Sequence, residues 1–185
     1  MNPPAGLTIR LATLNDVEAL ELLIADSVRV LQARDYTPEQ REAALGSVFG
    51  VDRQLICDAT YFVAEVDGVI AGCGGWSRRR TLFGSDRRGG REDVLLDPAS
   101  DPARIRAFFV RPGYERRGIG SAIMRAAEEA AVKEGFTSLE LRATLTGIPL
   151  HRVHGFTEVE ASEIPLTSGG SLPAVRMVKA LPKAS

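Results

Sequence analysis

The sequence has little of what would commit it to several whole classes of protein. It holds two cysteines, Cys57 and Cys73, and two histidines, His151 and His154. That is too few thiols for a disulfide framework, and no Cys/His cluster has zinc-binding spacing, so neither a disulfide nor a metal is expected. No apolar run reaches the length of about 18 residues that a membrane-spanning helix needs. The first residues, Met-Asn-Pro-Pro-Ala-Gly, have neither the basic region nor the apolar core of a secretory signal. There is no basic surplus: the formal net charge is −1, which argues against nucleic-acid binding. Internal repeats and low-complexity linkers are missing as well. A reducing cytoplasm is therefore the expected compartment, with no membrane partner. What remains is 185 residues, 44% hydrophobic and 25% charged, enough for one good core. We expect a single domain over 1–185.

One stretch carries most of the information, Arg104 to Gly135. Ile105 to Val110 is a short apolar run closed by Pro112, which reads as a buried strand. Gly118, Gly120 and Ser121 follow. From Ile119 the period becomes helical, with Ile119, Ile123, Ala126, Ala127, Ala130 and Ala131 on one stripe. Gly135 is placed to end that helix. The unit is strand, Gly-rich turn, helix. The first amides of a helix lack internal partners and carry partial positive charge, so such a turn suits an anion. Glycine lets a phosphate approach the backbone. The spacing is not a Walker motif, because no Gly-Lys-Ser/Thr follows, and it is not Gly-x-Gly-x-x-Gly, because position 123 is Ile. Taken alone, it reads equally well as a tight strand-to-helix connection.

Leu7 to Leu11 alternates as a first strand. Thr13 and Asp16 form a capping-box pattern, opening a helix to about Ala33. Thr37, Pro38 and Gln40 open a second helix, ending near Gly46. Tyr61 to Val66 and Val69 to Trp76 flank Asp67-Gly68 as a hairpin. Gly72, Gly74 and Gly75 in its second strand imply a close approach or a bend. Ser77 to Ala103 is long for a loop and carries Arg78, Arg79, Arg80, Arg87, Arg88 and Arg91. It fits a flap over a site, but the pattern favours a solvated surface excursion. Ser138 to Ala143 reads as a strand, Pro149 to Gly155 as a short helix, and Phe156 to Ala161 and Ala174 to Leu181 as two closing strands. The order is β-α-α-β-β-β-α-β-α-β-β, a mixed α/β sheet.

Phe-Phe-Val-Arg-Pro-Gly-Tyr-Glu-Arg-Arg-Gly-Ile-Gly-Ser, residues 108–121, resembles the acetyl-CoA signature of the GNAT N-acetyltransferases, Arg/Gln-x-x-Gly-x-Gly/Ala after a strand ending in Val-x-Pro. Leu150-His151-Arg152-Val153-His154-Gly155-Phe156 resembles that family's second motif, Leu-Tyr-x-x-x-Gly-Phe. The likeness runs from Ile9 to about Val178. Three positions depart from it. Glu115 stands where Arg or Gln is usual, Thr146 where Asn often precedes the second motif, and His151 where the family has its Tyr.

The resemblance implies the GNAT fold, a mixed, mostly antiparallel sheet flanked by helices, whose splayed central strands admit the cofactor. It implies transfer of an acetyl group from acetyl-CoA to a primary amine of a small molecule or peptide. The diphosphate would sit on the amides of Arg116, Arg117, Gly118, Ile119, Gly120 and Ser121. The pantetheine arm would pair along Phe108, Phe109 and Val110, with the Phe108 N–H at the thioester oxygen. His151 would take the tyrosine's place as proton donor to the leaving thiolate. The acceptor would lie against aromatics such as Tyr36 and Trp76, with Phe49 and Tyr61 as further candidates, though aromatics more often belong to a core. For the base that takes the amine's proton, Glu65, Asp35, Glu140 and Glu158 are candidates. Cys73 could act as a nucleophile, but a small buried residue fits it better. The alternative to an enzyme is a non-catalytic acyl-CoA-binding module. A homodimer stays open, and the acceptor is not readable.

Overall fold

Both helix starts announced by the sequence form by the hydrogen bonds it implies. In the computed structural model, which describes residues 4–45, 47–86 and 94–182, the Thr13 N–H donates to Asp16 Oδ2 at 2.7 Å. A single turn at Leu14–Asp16 leads into α1 (Val17–Leu31). At α2 (Pro38–Leu45), the Thr37 N–H donates to Gln40 Oε1 at 3.0 Å and the Gln40 N–H to Thr37 Oγ1 at 3.2 Å. Each box satisfies amides that a helix leaves without partners. The expected end of α2 at Gly46 lies outside the described residues. A helix that the sequence pattern missed follows, α3 (Arg53–Cys57), capped by the Asp52 side chain, which accepts from the Gln54 N–H at 3.1 Å.

The remaining elements are β1 (Leu7–Leu11), β2 (Tyr61–Val66), β3 (Val69–Ser77), β4 (Ala103–Val110), α4 (Ile119–Lys133), β5 (Ser138–Thr144), α5 (Ile148–Val153), β6 (Thr157–Pro165) and β7 (Ser171–Ala180). The strands form one sheet in the order β1-β2-β3-β4-β5-β7-β6. Every neighbouring pair is antiparallel except β4–β5. The expected mixed, mostly antiparallel α/β sheet is the observed one.

Two apolar layers cover it. On one face α1 presents Leu20, Leu23, Ile24 and Val28 to Tyr61, Val63, Cys73 and Phe109. Burial of each such aliphatic side chain stabilises by about 1.5–3 kcal/mol. On the other face α4 sets Met124, Ala127 and Ala131 against Trp76, Ile105, Leu139 and Leu141. The α4 side explains Gly72 and Gly74 on β3, whereas a Cβ at Gly75 would lie 2.3 Å from the Thr60 carbonyl. A Cβ at Gly72 would lie 2.7 Å from Ile119 Cγ2, and one at Gly74 would lie 2.7 Å from the Phe108 ring. Helix and ring both press onto the strand there.

Two irregularities around β4 shape what lies beside it. Along β3, Gly75 pairs with Arg106 and Cys73 with Phe109, so β4 carries one residue more than its partner. Ala107 absorbs it at φ 55°, a left-handed conformation rare for a non-glycine. The bulge resets the strand's phase: Ile105 and Phe108 pack on the α4 side, while Phe109 packs on the α1 side. On its other edge β4 pairs with β5 only at Ala103↔Leu139 and Arg104↔Glu140. Beyond those two pairs the strands part.

The arginine-rich segment is not a free excursion where it is described. Arg79 binds Asp58 at 2.7 Å, and Arg78 binds Glu134 at 3.3 Å. From β4, Arg106 donates to the carbonyls of Thr81 at 2.9 Å and Gly84 at 2.7 Å. Arg87, Arg88 and Arg91 lie outside the described residues.

Candidate active site

The open stretch of β4 runs directly to the amino end of α4. Between them Arg116 and Gly118 both take left-handed conformations, φ 62° and 80°, so the chain turns sharply. Gly118 is the helix N-cap, and no side chain caps the first turn. The first helical bond is that of the Ala122 N–H to the Gly118 carbonyl at 2.9 Å. The amides of Ile119, Gly120 and Ser121 precede it, in the position where an anion finds unpartnered donors and the positive end of the helix dipole. Arg116 and Arg117 are exposed beside them, and the Arg117 guanidinium lies 5.3 Å from the Tyr114 ring centre. Glu115 accepts from the Gly113 N–H at 2.6 Å, so the residue that departs from the motif closes the preceding turn.

Of the motif residues, Ile119 contributes backbone alone, since its side chain is buried in the core. A Cβ at Gly120 would lie 2.9 Å from Leu150 Cδ2. Gly120 therefore makes room for α5. Phe109 is buried with its ring edge against Phe49, 5.7 Å between centres. Val110 packs with Ala64 and Ile119. Phe108 sits at the opening, over Gly74 and 6.3 Å from the His151 ring.

His151 lies on α5, where the second motif places it, and it is buried. Its ring is buried between Phe108 and Phe156, and Nδ1 has no partner among the described residues. Desolvation, with a smaller contribution from His154, pushes its pKa down to about 4. Burial thus favours the uncharged imidazole at neutral pH. A neutral ring is a weaker proton donor to a thiolate than an imidazolium.

Tyr36 and Trp76 are both buried. Trp76 is 2% exposed and lies on the α4 side, edge-on to Phe136. Tyr36 is 4% exposed; its hydroxyl donates to the Pro173 carbonyl at 2.7 Å and accepts from the Leu145 N–H at 2.8 Å. It ties the end of α1 to β7 and to the turn before α5. Tyr61 is fully buried, and its hydroxyl donates to the carbonyl of Ala107 at 3.1 Å. Nothing in the sequence marks this contact, because the bulge it holds is invisible there. Burial pushes the Cys73 thiol up to about 12, which leaves it inert as a nucleophile.

The carboxylates sort by partner. Glu65 is bound by Arg10 at 2.7 Å, Glu140 by Arg104 and Arg176, and Glu158 by Arg152. Asp35 meets a neutral group instead, accepting from Thr146 Oγ1 at 2.5 Å. Thr146 belongs to the turn before α5, where a Cβ added at Gly147 would lie 3.3 Å from His151 Nε2, so Asp35 is tied to the segment that leads to His151. A shallow hollow of about 430 Å³ among Glu128, Val132, Lys179 and Leu181 lies at the far end of α4 from Gly118 and plays no part here.

The model of a family described as the acetyltransferase (GNAT) family matches residues 25–156. No curated protein matches the sequence. Solved structures share the fold. The GCN5-related N-acetyltransferase from Rhodopseudomonas palustris superposes with a TM-score of 0.71 at 21% identity, over 98% of both chains. The PaiA N-acetyltransferase of Thermoplasma acidophilum, solved with coenzyme A, gives 0.66 at 16% identity, over 94% of this chain and 98% of that one. YncA of Salmonella typhimurium, a putative acetyltransferase solved with acetyl-CoA, gives 0.64 at 17% identity, over 98% and 97%.

Proposed function

The chain belongs to the acetyltransferase (GNAT) family, and from that premise we propose that it transfers an acetyl group from acetyl-CoA to a primary amine of a small molecule or peptide, by direct attack in a ternary complex. The observation that carries this reading is the opening between β4 and β5, which leads to the uncapped amino end of α4. The residues present fit the group. The amides of Ile119, Gly120 and Ser121 would hold the diphosphate, with Arg116 and Arg117 adding charge beside it. Residues Phe108 to Val110 would pair with the pantetheine arm. Bound there, acetyl-CoA supplies an activated thioester.

The chain's own part is placement and proton handling. The Phe108 N–H, next to the Ala107 bulge, would stabilise charge developing on the acyl oxygen. Asp35, the candidate carboxylate with no cation on it among the described residues, would take the amine's proton directly or through water. Departing thiolate would draw its proton from solvent rather than from His151.

The test is release of free thiol with a panel of amines under saturating acetyl-CoA. Ser121→Glu puts a carboxylate where the diphosphate would sit, at a helix position that favours acidic residues, so folding is retained. It should weaken coenzyme A binding about tenfold or more by calorimetry. Asp35→Asn should lower kcat/KM with binding unchanged. Intact coenzyme A binding in Ser121→Glu would sink the phosphate site. Binding without thiol release from any amine would favour the non-catalytic acyl-CoA-binding module.

Tyr61 makes a sharper prediction for the same reading. Its hydroxyl holds the carbonyl of the left-handed Ala107, and so the peptide that ends in the Phe108 N–H. Tyr61→Phe should lower kcat by about tenfold to a hundredfold through misplacement of that donor, with KM for acetyl-CoA within about threefold of wild type. Equal losses in kcat and stability, with KM rising in step, would mean that the hydroxyl merely supports the fold.

A further inference from the structure

Four arginines project from the α1-facing side of the sheet around the opening: Arg104 and Arg106 on β4, Arg142 on β5 and Arg176 on β7. The alternation places them there, because Ala103, Ile105, Leu141 and Ala143 pack on the α4 side. Three have carboxylate partners. Arg104 binds Glu140, Arg106 binds Asp52 at 2.8 Å, and Arg176 binds Glu140 at 3.2 Å and Glu160 at 2.9 Å. Arg142 has no carboxylate among the described residues. Its Nε is buried without a hydrogen-bond partner, and its neighbour across the β5–β7 ladder is another cation, Arg176.

A half-buried guanidinium with an unpartnered nitrogen, beside like charge, is favourably placed to take an anion. The position says when an anion would come. Arg142 follows the last β4–β5 pair by two residues, on the stretch where the strands have parted. Its guanidinium lies 5.0 Å from the ring centre of Phe83. Phe83 belongs to the loop whose Thr81 and Gly84 carbonyls Arg106 holds from β4. Loop and guanidinium together roof the α1 side of the opening. Stacking on a ring fixes the plane of a guanidinium and leaves its N–H edge for a ligand.

Building on the acetyl-transfer reading, we infer that the acceptor amine also carries a carboxylate, and that Arg142 binds it. The planar fork of donors matches a carboxylate by two parallel hydrogen bonds. With α4 and its anion site on the opposite face, such an amine would enter from the α1 side, beneath Phe83. Amino acids and peptides with a free carboxyl end have this chemistry; simple alkyl amines and polyamines do not.

The experiment uses paired acceptors differing at one end: a dipeptide with a free carboxylate and the same dipeptide amidated. Wild type should prefer the free acid by about a hundredfold in kcat/KM. Arg142→Gln should bring that preference close to one, and Arg142→Lys should keep part of it. A loss shared equally by both acceptors would make Arg142 a packing residue and overturn the inference, as would wild-type preference for the amide. Preference for an aminoalkylphosphonate over the free dipeptide would overturn the carboxylate in favour of phosphate. A second readout is independent of turnover. In protein saturated with coenzyme A, the Arg142 Nε–H resonance should shift on titration with the free dipeptide and not with its amide. Absence of that shift overturns the inference even where thiol is released. A shift without thiol release sustains it while the transfer reading fails.

Discussion

Asp52→Ala is expected to destabilise the protein by about 3–5 kcal/mol, lowering the melting midpoint by about 10 °C or more. The Asp52 carboxylate lies 2.8 Å from the Arg106 guanidinium, and the two side chains are 2% and 3% exposed. Water cannot replace a lost partner at that depth, so the substitution leaves a buried guanidinium one counterion short. The change also removes the α3 cap on the Gln54 N–H, worth about 1 kcal/mol. Arg106 precedes Ala107, and it also binds the loop carbonyls of Thr81 and Gly84. Loosening it should therefore disturb the bulge and the loop together. Chemical denaturation of Asp52→Ala, Arg106→Met and the double variant decides the matter. The double variant should be more stable than the sum of the single losses predicts, because it removes both charges at once. Strict additivity would show that the pair is not coupled.

His151→Phe should change how stability depends on pH, by about 3 kcal/mol between pH 7 and pH 4. The folded pKa is about 4, against an ordinary value of 6.5, because burial disfavours the charged ring. Below pH 6.5 the unfolded chain takes up a proton that the folded chain refuses. The stabilisation from the neutral ring is thus complete above about pH 6.5 and is lost as pH falls toward 4. Phenylalanine fits between Phe108 and Phe156 and takes up no proton, so the variant should overtake wild type in acid. His154, whose pKa burial also lowers, is present in both proteins and cancels in the comparison. So do Asp16 and Asp58, whose carboxyls Arg10 and Arg79 hold below the usual range. Parallel melting curves from pH 7 to pH 4 would refute the burial argument. The same variant should keep kcat within about threefold; a loss of a hundredfold or more would restore the imidazolium as the thiolate's proton donor.

Element order was legible because its signals are local. Thr13 with Asp16, Thr37 with Gln40, and Asp67-Gly68 act on residues two to four positions away, and each is realised as read. The helical stripe from Ile119 and the glycine turn before it likewise depend on neighbours along the chain. Helix α3 escaped notice because five residues are too few to show a period. Other features have no local signature at all. The bulge turns on Ala107, an alanine in a conformation that no alanine advertises, and it reverses which face the following residues present. The Arg106–Asp52 pair joins residues 54 positions apart. Trp76 and Tyr36 looked available because aromatics can line a cleft, yet which side of the sheet they meet is set by α4, Pro173 and Leu145. His151 is the sharpest case. Its place in the motif was readable, while its protonation depends on water excluded by rings from β4 and from the residue before β6. Periodicity and capping are properties of a segment and can be read from it; desolvation and charge pairing exist only once distant segments have met.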